Sequence, residues 1–149
     1  MAEVSLFRLY LMRVVYLLIF VAVGTMALPP LLNQPEPITP MRGVALSFWM
    51  ALSLLALVGV RYPLRMIPVL LIQMLYKIIW LLALAWPLWR SGTAFDPDMA
   101  EFTRAMAIGI VVDVIAIPWG YVLANYVRRP GDRWTERGRE PPVGEVDRH

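Results

Sequence analysis

The chain has 149 residues, of which 59% are hydrophobic and 17% charged, and its mean hydropathy is +0.60. It contains no cysteine, which excludes disulfides, thiolate metal sites, iron–sulfur clusters and cysteine nucleophiles. The net charge of +3 does not indicate nucleic acid binding, because the basic residues are scattered and six of the fourteen follow Val127. That distribution fits membrane topology better.

Four apolar segments predict membrane-spanning helices. The apolar content exceeds the ~45 to 50% that is usual in soluble domains, so part of this surface must face lipid. A helix of roughly 20 apolar residues crosses about 30 Å of hydrocarbon, and an open sheet would leave backbone groups unpaired there. We therefore predict an all-α integral membrane domain in residues 1–127, a bundle of four transmembrane helices at 9–28, 44–60, 66–86 and 105–127.

The first segment has an alternative interpretation as a cleaved signal peptide, since Arg8 and Arg13 precede its apolar run. A transmembrane span fits better, because the run is long enough to cross the bilayer and Met26 is a poor residue for a cleavage site. Arg13 then lies about one turn inside the span, where its long stem reaches the headgroups.

Two of the predicted loops carry distinctive residues. The loop at 29–40 contains five prolines, which favour an extended, polyproline-like backbone. In the loop at 91–99, Asp96-Pro97-Asp98 indicates a turn that caps the approach to the fourth span. Two carboxylates are too few for a calcium site, which takes about six or more oxygen ligands, so we predict no bound metal.

The distribution of arginines predicts that both termini lie in the cytoplasm, because basic residues in short loops favour that side. One side carries the larger set, Arg8, Arg13, Arg61, Arg65, Arg128, Arg129 and Arg133, and the other carries Arg42, Arg90 and Arg104. Residues 128–149 are charged, rich in proline and glycine, and nearly free of apolar residues. We expect them to form a disordered cytoplasmic tail.

Two charged residues lie near the middle of predicted spans, Lys77 in the third and Asp113 in the fourth. An unpaired charge at such a depth costs at least ~2.5 to 3.5 kcal/mol. Their depths differ by roughly 4.5 Å, which a lysine side chain covers, so we predict that they pair across two antiparallel helices. Gln73 shares the helix face of Lys77, and its amide could bond Asp113, a backbone carbonyl or water.

Pro118 follows Asp113 by five residues and has no N–H for the carbonyl of Val114, which predicts a kink in the fourth span. A freed carbonyl beside a buried carboxylate resembles the interrupted helices of transporters. The polar residues therefore allow two main interpretations, a structural ion pair that sets helix register or a site that handles protons or substrate. A polar contact with another protein or a second copy of the chain is a third.

Four short motifs stand out in the second half of the chain: RYPLRMIPVLL at 61–71, KIIWL at 77–81, PWGY at 118–121 and RPGDRW at 129–134. Together they resemble small four-span bacterial inner-membrane proteins of uncharacterised function. The resemblance covers roughly the third and fourth spans and the start of the tail. It implies four spans and a bacterial inner membrane, and it implies no activity.

The sequence contains no nucleotide-binding loop, Ser/His/Asp set or metal motif, and its one histidine is the terminal His149, a poor position for a catalytic base. We predict a non-enzymatic inner-membrane protein, a structural or accessory component without a cofactor, whose partner is the lipid bilayer. The alternative is a small transporter or channel that uses Lys77, Asp113 and Gln73. The sequence leaves open whether the chain forms a homo-oligomer or joins a larger membrane complex.

Overall fold

The computed structural model describes residues 4–33, 37, 39–92 and 95–130 and, within these ranges, contains helices and no strand. Five helices follow one another: α1 (Leu6–Asn33), α2 (Pro40–Arg61), α3 (Ile67–Arg90), α4 (Pro97–Ala116) and α5 (Trp119–Val127). A π-helical turn interrupts α3 at Leu81–Ala85, and another ends α5 at Leu123–Val127. The all-α prediction is confirmed for this part of the chain. The predicted tail, beyond residue 130, lies outside it.

The helices α1, α2 and α3 are each long and apolar enough to cross a membrane. The last two helices meet the same criterion only together, and their axes differ by 72° at the break between them. The described part of the chain therefore contains three unbroken candidate spans and a fourth that is broken. A broken helix of this kind has the geometry of either an interrupted span or a re-entrant loop.

Local sequence determines where α2 and α4 begin. Thr39 Oγ1 accepts a hydrogen bond from the Arg42 backbone N–H at 3.3 Å, and Asp96 accepts one from the Met99 N–H at 2.7 Å. A proline follows each cap, at a position where its missing N–H would have no partner in the helix anyway. As a result, α4 begins at Pro97 rather than at residue 105, because the cap and not the hydropathy sets the helix start.

The proline-rich loop predicted at 29–40 is shorter than expected, because Pro29 and Pro30 lie inside α1. The expectation of an extended backbone was wrong for residues 29–33, and residues 34–36 and 38 lie outside the described residues. The fixed φ of proline is close to the helical value. The two prolines therefore remove two N–H donors from the helix but keep a helical backbone conformation. The helix consequently continues to Asn33, and the connection to α2 spans only a few residues.

The helices pack as two antiparallel pairs, α1 against α2 and α3 against α4. In the first pair, the fully buried ring of Tyr16 lies against the backbone of Gly59, and its hydroxyl donates to the Pro63 carbonyl at 3.0 Å. Ser53 Oγ, also fully buried, donates to the Phe20 carbonyl at 2.9 Å. These bonds satisfy the buried polar groups of the pair and fix α1 to the turn that leads into α3.

Large apolar side chains are exposed along the outside of the bundle. They include Phe7, Leu18, Leu54, Leu75, Leu82 and Val111. Soluble monomers rarely expose apolar patches of more than a few hundred Å². A surface of this kind is suited to contact with lipid hydrocarbon.

The contact between Tyr16 and Gly59 leads to a stability prediction. We expect Gly59→Ala to lower the free energy of unfolding by about 1 to 3 kcal/mol, because the added Cβ would lie 2.5 to 2.7 Å from three ring atoms of Tyr16. Gly120→Ala is the matched control, since a Cβ there meets nothing within 4 Å, and both changes gain helix propensity. Unfolding in detergent, followed by circular dichroism, measures the difference. Equal stability of the two variants would contradict this packing.

Candidate functional site

The two charges predicted to meet inside the bundle form a buried ion pair. Lys77 Nζ donates to Asp113 Oδ2 at 2.7 Å, and the two residues are 8% and 1% exposed. The prediction that these residues pair between α3 and α4 is confirmed. Because the pair as a whole is neutral, each charge offsets the cost of burying the other.

Gly109 makes room for this pair. It lies one helical turn before Asp113 on α4, and a Cβ at Gly109 would come within 2.8 Å of Lys77 Nζ and 3.2 Å of its Cδ. The lysine side chain therefore runs across the bare backbone of Gly109 to reach the carboxylate. The sequence contained the signal for this approach, since Ala105 and Gly109 have the four-residue spacing of small residues that permits close contact between membrane helices.

Aromatic residues of α3 lie on either side of the pair. The ring of Tyr76 has its centroid 5.9 Å from Lys77 Nζ, within the range of a cation–π contact. One turn further along α3, Trp80 Nε1 donates to Thr103 Oγ1 at 3.3 Å and its ring meets Phe102 edge-on at 5.0 Å. The contacts of Trp80 cross to α4 and fix the register of the two helices beside the charges.

Gln73 lies on the same face of α3, but the hydrogen bond to Asp113 that we considered is not formed. The residue is 1% exposed, and neither its Nε2 nor its Oε1 has a hydrogen-bond partner among the described residues. Lys77 donates to Oδ2 of the carboxylate, and the amide of Gln73 forms no hydrogen bond to it. Each unpaired buried group costs about 1 to 3 kcal/mol, which makes Gln73 the least satisfied polar side chain of the site.

The helix breaks at Ile117 and Pro118, where the sequence led us to expect a kink. The Ile117 N–H still donates to the Asp113 carbonyl at 2.9 Å, so α4 is complete to that point. Pro118 has no N–H to donate to the carbonyl of Val114. That carbonyl accepts a hydrogen bond from the indole Nε1 of Trp119 instead, at 2.9 Å. Sequence reasoning noticed the freed carbonyl but missed this partner. A tryptophan directly after a helix-breaking proline was the available signal.

A groove runs between α1, α3 and α4 and includes the polar residues at one of its ends. It encloses about 440 Å³ and is lined on α4 from Phe102 to Asp113, on α3 by Gln73, Tyr76 and Lys77, and on α1 by Val15, Leu18, Ile19, Ala22, Val23 and Met26. We call it the lateral groove, because its rim residues Leu18, Met26 and Ile108 are 52 to 59% exposed on the outside of the bundle. Sequence reasoning did not predict that α1 lines the site.

The arrangement offers hydrogen bonding and charge. The described residues contain no group of three or more His, Cys, Asp or Glu side chains that could hold a metal ion. The chemical possibilities lie in the ammonium, carboxylate and amide at the polar end of the lateral groove. These groups can bind or orient a polar group or stabilise the fold.

Comparisons with known proteins identify no relative. No family model matches the chain, and no curated protein and no solved structure is significantly similar to it.

The unpaired amide of Gln73 leads to a prediction about stability. We expect Gln73→Met to raise the free energy of unfolding in detergent by about 1 to 3 kcal/mol, because methionine has a similar length and leaves no buried donor or acceptor unpaired. Asn125→Leu is the control, since the amide of Asn125 already donates to the Tyr121 carbonyl at 2.9 Å. That change should give no gain. A destabilised Gln73→Met variant would mean that the amide has a partner in the folded protein.

Proposed function

We propose that this chain is a non-enzymatic, multi-pass protein of a bacterial inner membrane with both termini in the cytoplasm, and that it acts as a structural or accessory component there. The observation that carries the proposal is the buried ion pair between Lys77 and Asp113. It joins two apolar helices at a depth where an unpaired charge would be excluded. A rigid helical unit of this kind can serve as a scaffold for lipid or for other membrane proteins.

A second candidate function is supported by a different observation. Gln73 lines the polar end of the lateral groove and its buried amide is unpaired among the described residues, an arrangement that a purely structural site does not require. A small transporter or channel would use such a groove to hold a substrate beside the ion pair. In that case the pair would open and close as the substrate moves.

The proposed topology can be tested with single cysteines, because the chain has none of its own. We expect a membrane-impermeant maleimide to label Ser91→Cys in intact cells, and to label Arg65→Cys and Arg129→Cys only after permeabilisation. These are the sides on which the arginine distribution puts the three positions. Labelling of Arg129→Cys but not Arg65→Cys in intact cells would mean that α4 and α5 form a re-entrant pair. Labelling of Arg65→Cys in intact cells would mean that the protein has the opposite orientation to the one proposed.

The structural role of the pair predicts strong energetic coupling. We expect Lys77→Ala and Asp113→Ala each to lower the free energy of unfolding by roughly 3 to 5 kcal/mol, because each leaves an uncompensated buried charge. The double variant should lose less than the sum of the two. Unfolding of all four proteins in mild detergent measures the coupling. As a control, the effects of Lys77→Ala and Glu101→Ala on the free energy of unfolding should add, because Glu101 is exposed. Additive effects for Lys77→Ala and Asp113→Ala as well would contradict the proposal.

Reversal of the two charges separates the candidate functions. A structural pair should recover much of its expression and stability in the Lys77→Asp, Asp113→Lys variant, since the attraction between the helices is restored. A transport site should stay inactive in the same variant even when it folds, because the groups that meet the substrate have exchanged places. An unstable reversed variant would contradict a purely electrostatic role for the pair.

A further inference from the structure

We infer that the lateral groove binds a neutral lipid with a hydroxyl-bearing head, an acylglycerol of the surrounding bilayer, with its head at Gln73 and the ion pair and its acyl chain along α1. The inference deepens the second proposed function, because it names the class of molecule that the groove would handle. It rests on three properties of the groove: its unused hydrogen-bonding groups, its net charge and its shape.

The polar end of the groove can both donate and accept hydrogen bonds. The amide of Gln73 has two N–H donors and an acceptor oxygen, all without partners among the described residues. Lys77 has three N–H donors, and among the described residues it donates one hydrogen bond, to Asp113. A hydroxyl is the matching group, because it donates one hydrogen bond and accepts others. An ester or a ketone only accepts, and would leave Oε1 of Gln73 unpaired.

The charge of the site favours a neutral head over a charged one. Lys77 and Asp113 neutralise each other, and no other ionisable residue lines the groove apart from Tyr76. A phosphate or carboxylate head would therefore bring an extra, unmatched charge into the apolar part of the bundle. A glycerol head carries hydroxyls and no charge.

The shape of the groove fits one acyl chain. Its α1 wall runs from Val15 to Met26, a helix rise of about 16 Å, which is roughly half of the ~30 Å hydrocarbon core. All the lining residues of α1 are apolar, and the exposed rim at Leu18, Met26 and Ile108 opens sideways. A chain can therefore enter from the lipid without crossing water.

Binding requires a small movement of Gln73. Its amide atoms are covered in this structure, so the side chain must rotate toward the groove to meet a hydroxyl. The rotation breaks no hydrogen bond to the described residues, because the amide has none, and it makes new ones. Gln73 is therefore the residue expected to distinguish a hydroxyl head from other heads.

The test uses the full chain in phosphatidylcholine nanodiscs and a monoacylglycerol with a photoreactive diazirine in its acyl chain. After irradiation, mass spectrometry locates the labelled residues. Three competitors share one acyl chain: 1-monooleoylglycerol, which is neutral and carries hydroxyls, methyl oleate, which is neutral without them, and oleate, which is charged. We expect labelling along the groove walls of α1 and α4, and competition by 1-monooleoylglycerol about tenfold stronger than by the other two, the equivalent of one good hydrogen bond.

Two groove variants and a matched control complete the design. Ala105→Trp fills the groove and should abolish labelling, whereas Ala107→Trp, exposed on the same helix but outside the groove lining, should label like the parent. Gln73→Met should keep labelling but lose the preference for 1-monooleoylglycerol. Circular dichroism of each variant establishes that it is folded.

Several results would overturn the inference. Labelling spread evenly over the exposed helices, or equal labelling of Ala105→Trp and Ala107→Trp, would remove the groove as a binding site. If methyl oleate competes as well as 1-monooleoylglycerol, the hydroxyl has no role in binding. If oleate competes more strongly than 1-monooleoylglycerol, the site selects a charged head. If the lipid fails to bind while Lys77 and Asp113 remain strongly coupled, this inference falls and the structural function stands.

Discussion

A lysine and an aspartate are stable within an apolar bundle only when they neutralise each other, and much of this fold follows from that requirement. To bring the two charges together, α3 and α4 must be neighbours at close range. Close range requires a residue without a side chain where the lysine crosses, and Gly109 provides it. The pair, the glycine and the flanking aromatic contacts form one unit, in which the loss of any part would disturb the others.

The features that could be predicted from sequence are those for which an apolar environment leaves few solutions. Long apolar runs form helices there, and charges at similar positions on adjacent apolar helices are expected to pair. For Lys77 and Asp113, helix rise alone was enough to show that they could meet. Pro118 was also informative, because a residue without an N–H has only a local effect, which does not depend on the neighbouring helices.

The features that could not be predicted depend on which atoms come within a few tenths of an ångström. Whether the amide of Gln73 reaches the carboxylate of Asp113 as well as Lys77 does is decided by side-chain rotamers, which the pattern of apolar residues does not encode. The part of α1 that lines the groove follows from the angle between helix pairs, and hydropathy says nothing about that angle. Pro29 and Pro30 were misread because a local preference for extended backbone was given more weight than the continuity of an apolar helix.

The indole of Trp119 gives the break after α4 a mechanical property. In many interrupted helices the freed carbonyl depends on water or on a neighbouring helix, so the bend can loosen when either one moves away. Here the carbonyl belongs to Val114 and its donor to Trp119, five residues later in the same segment of the chain. The 72° bend is therefore stabilised by a hydrogen bond within its own segment. We expect it to be rigid and not to act as a hinge.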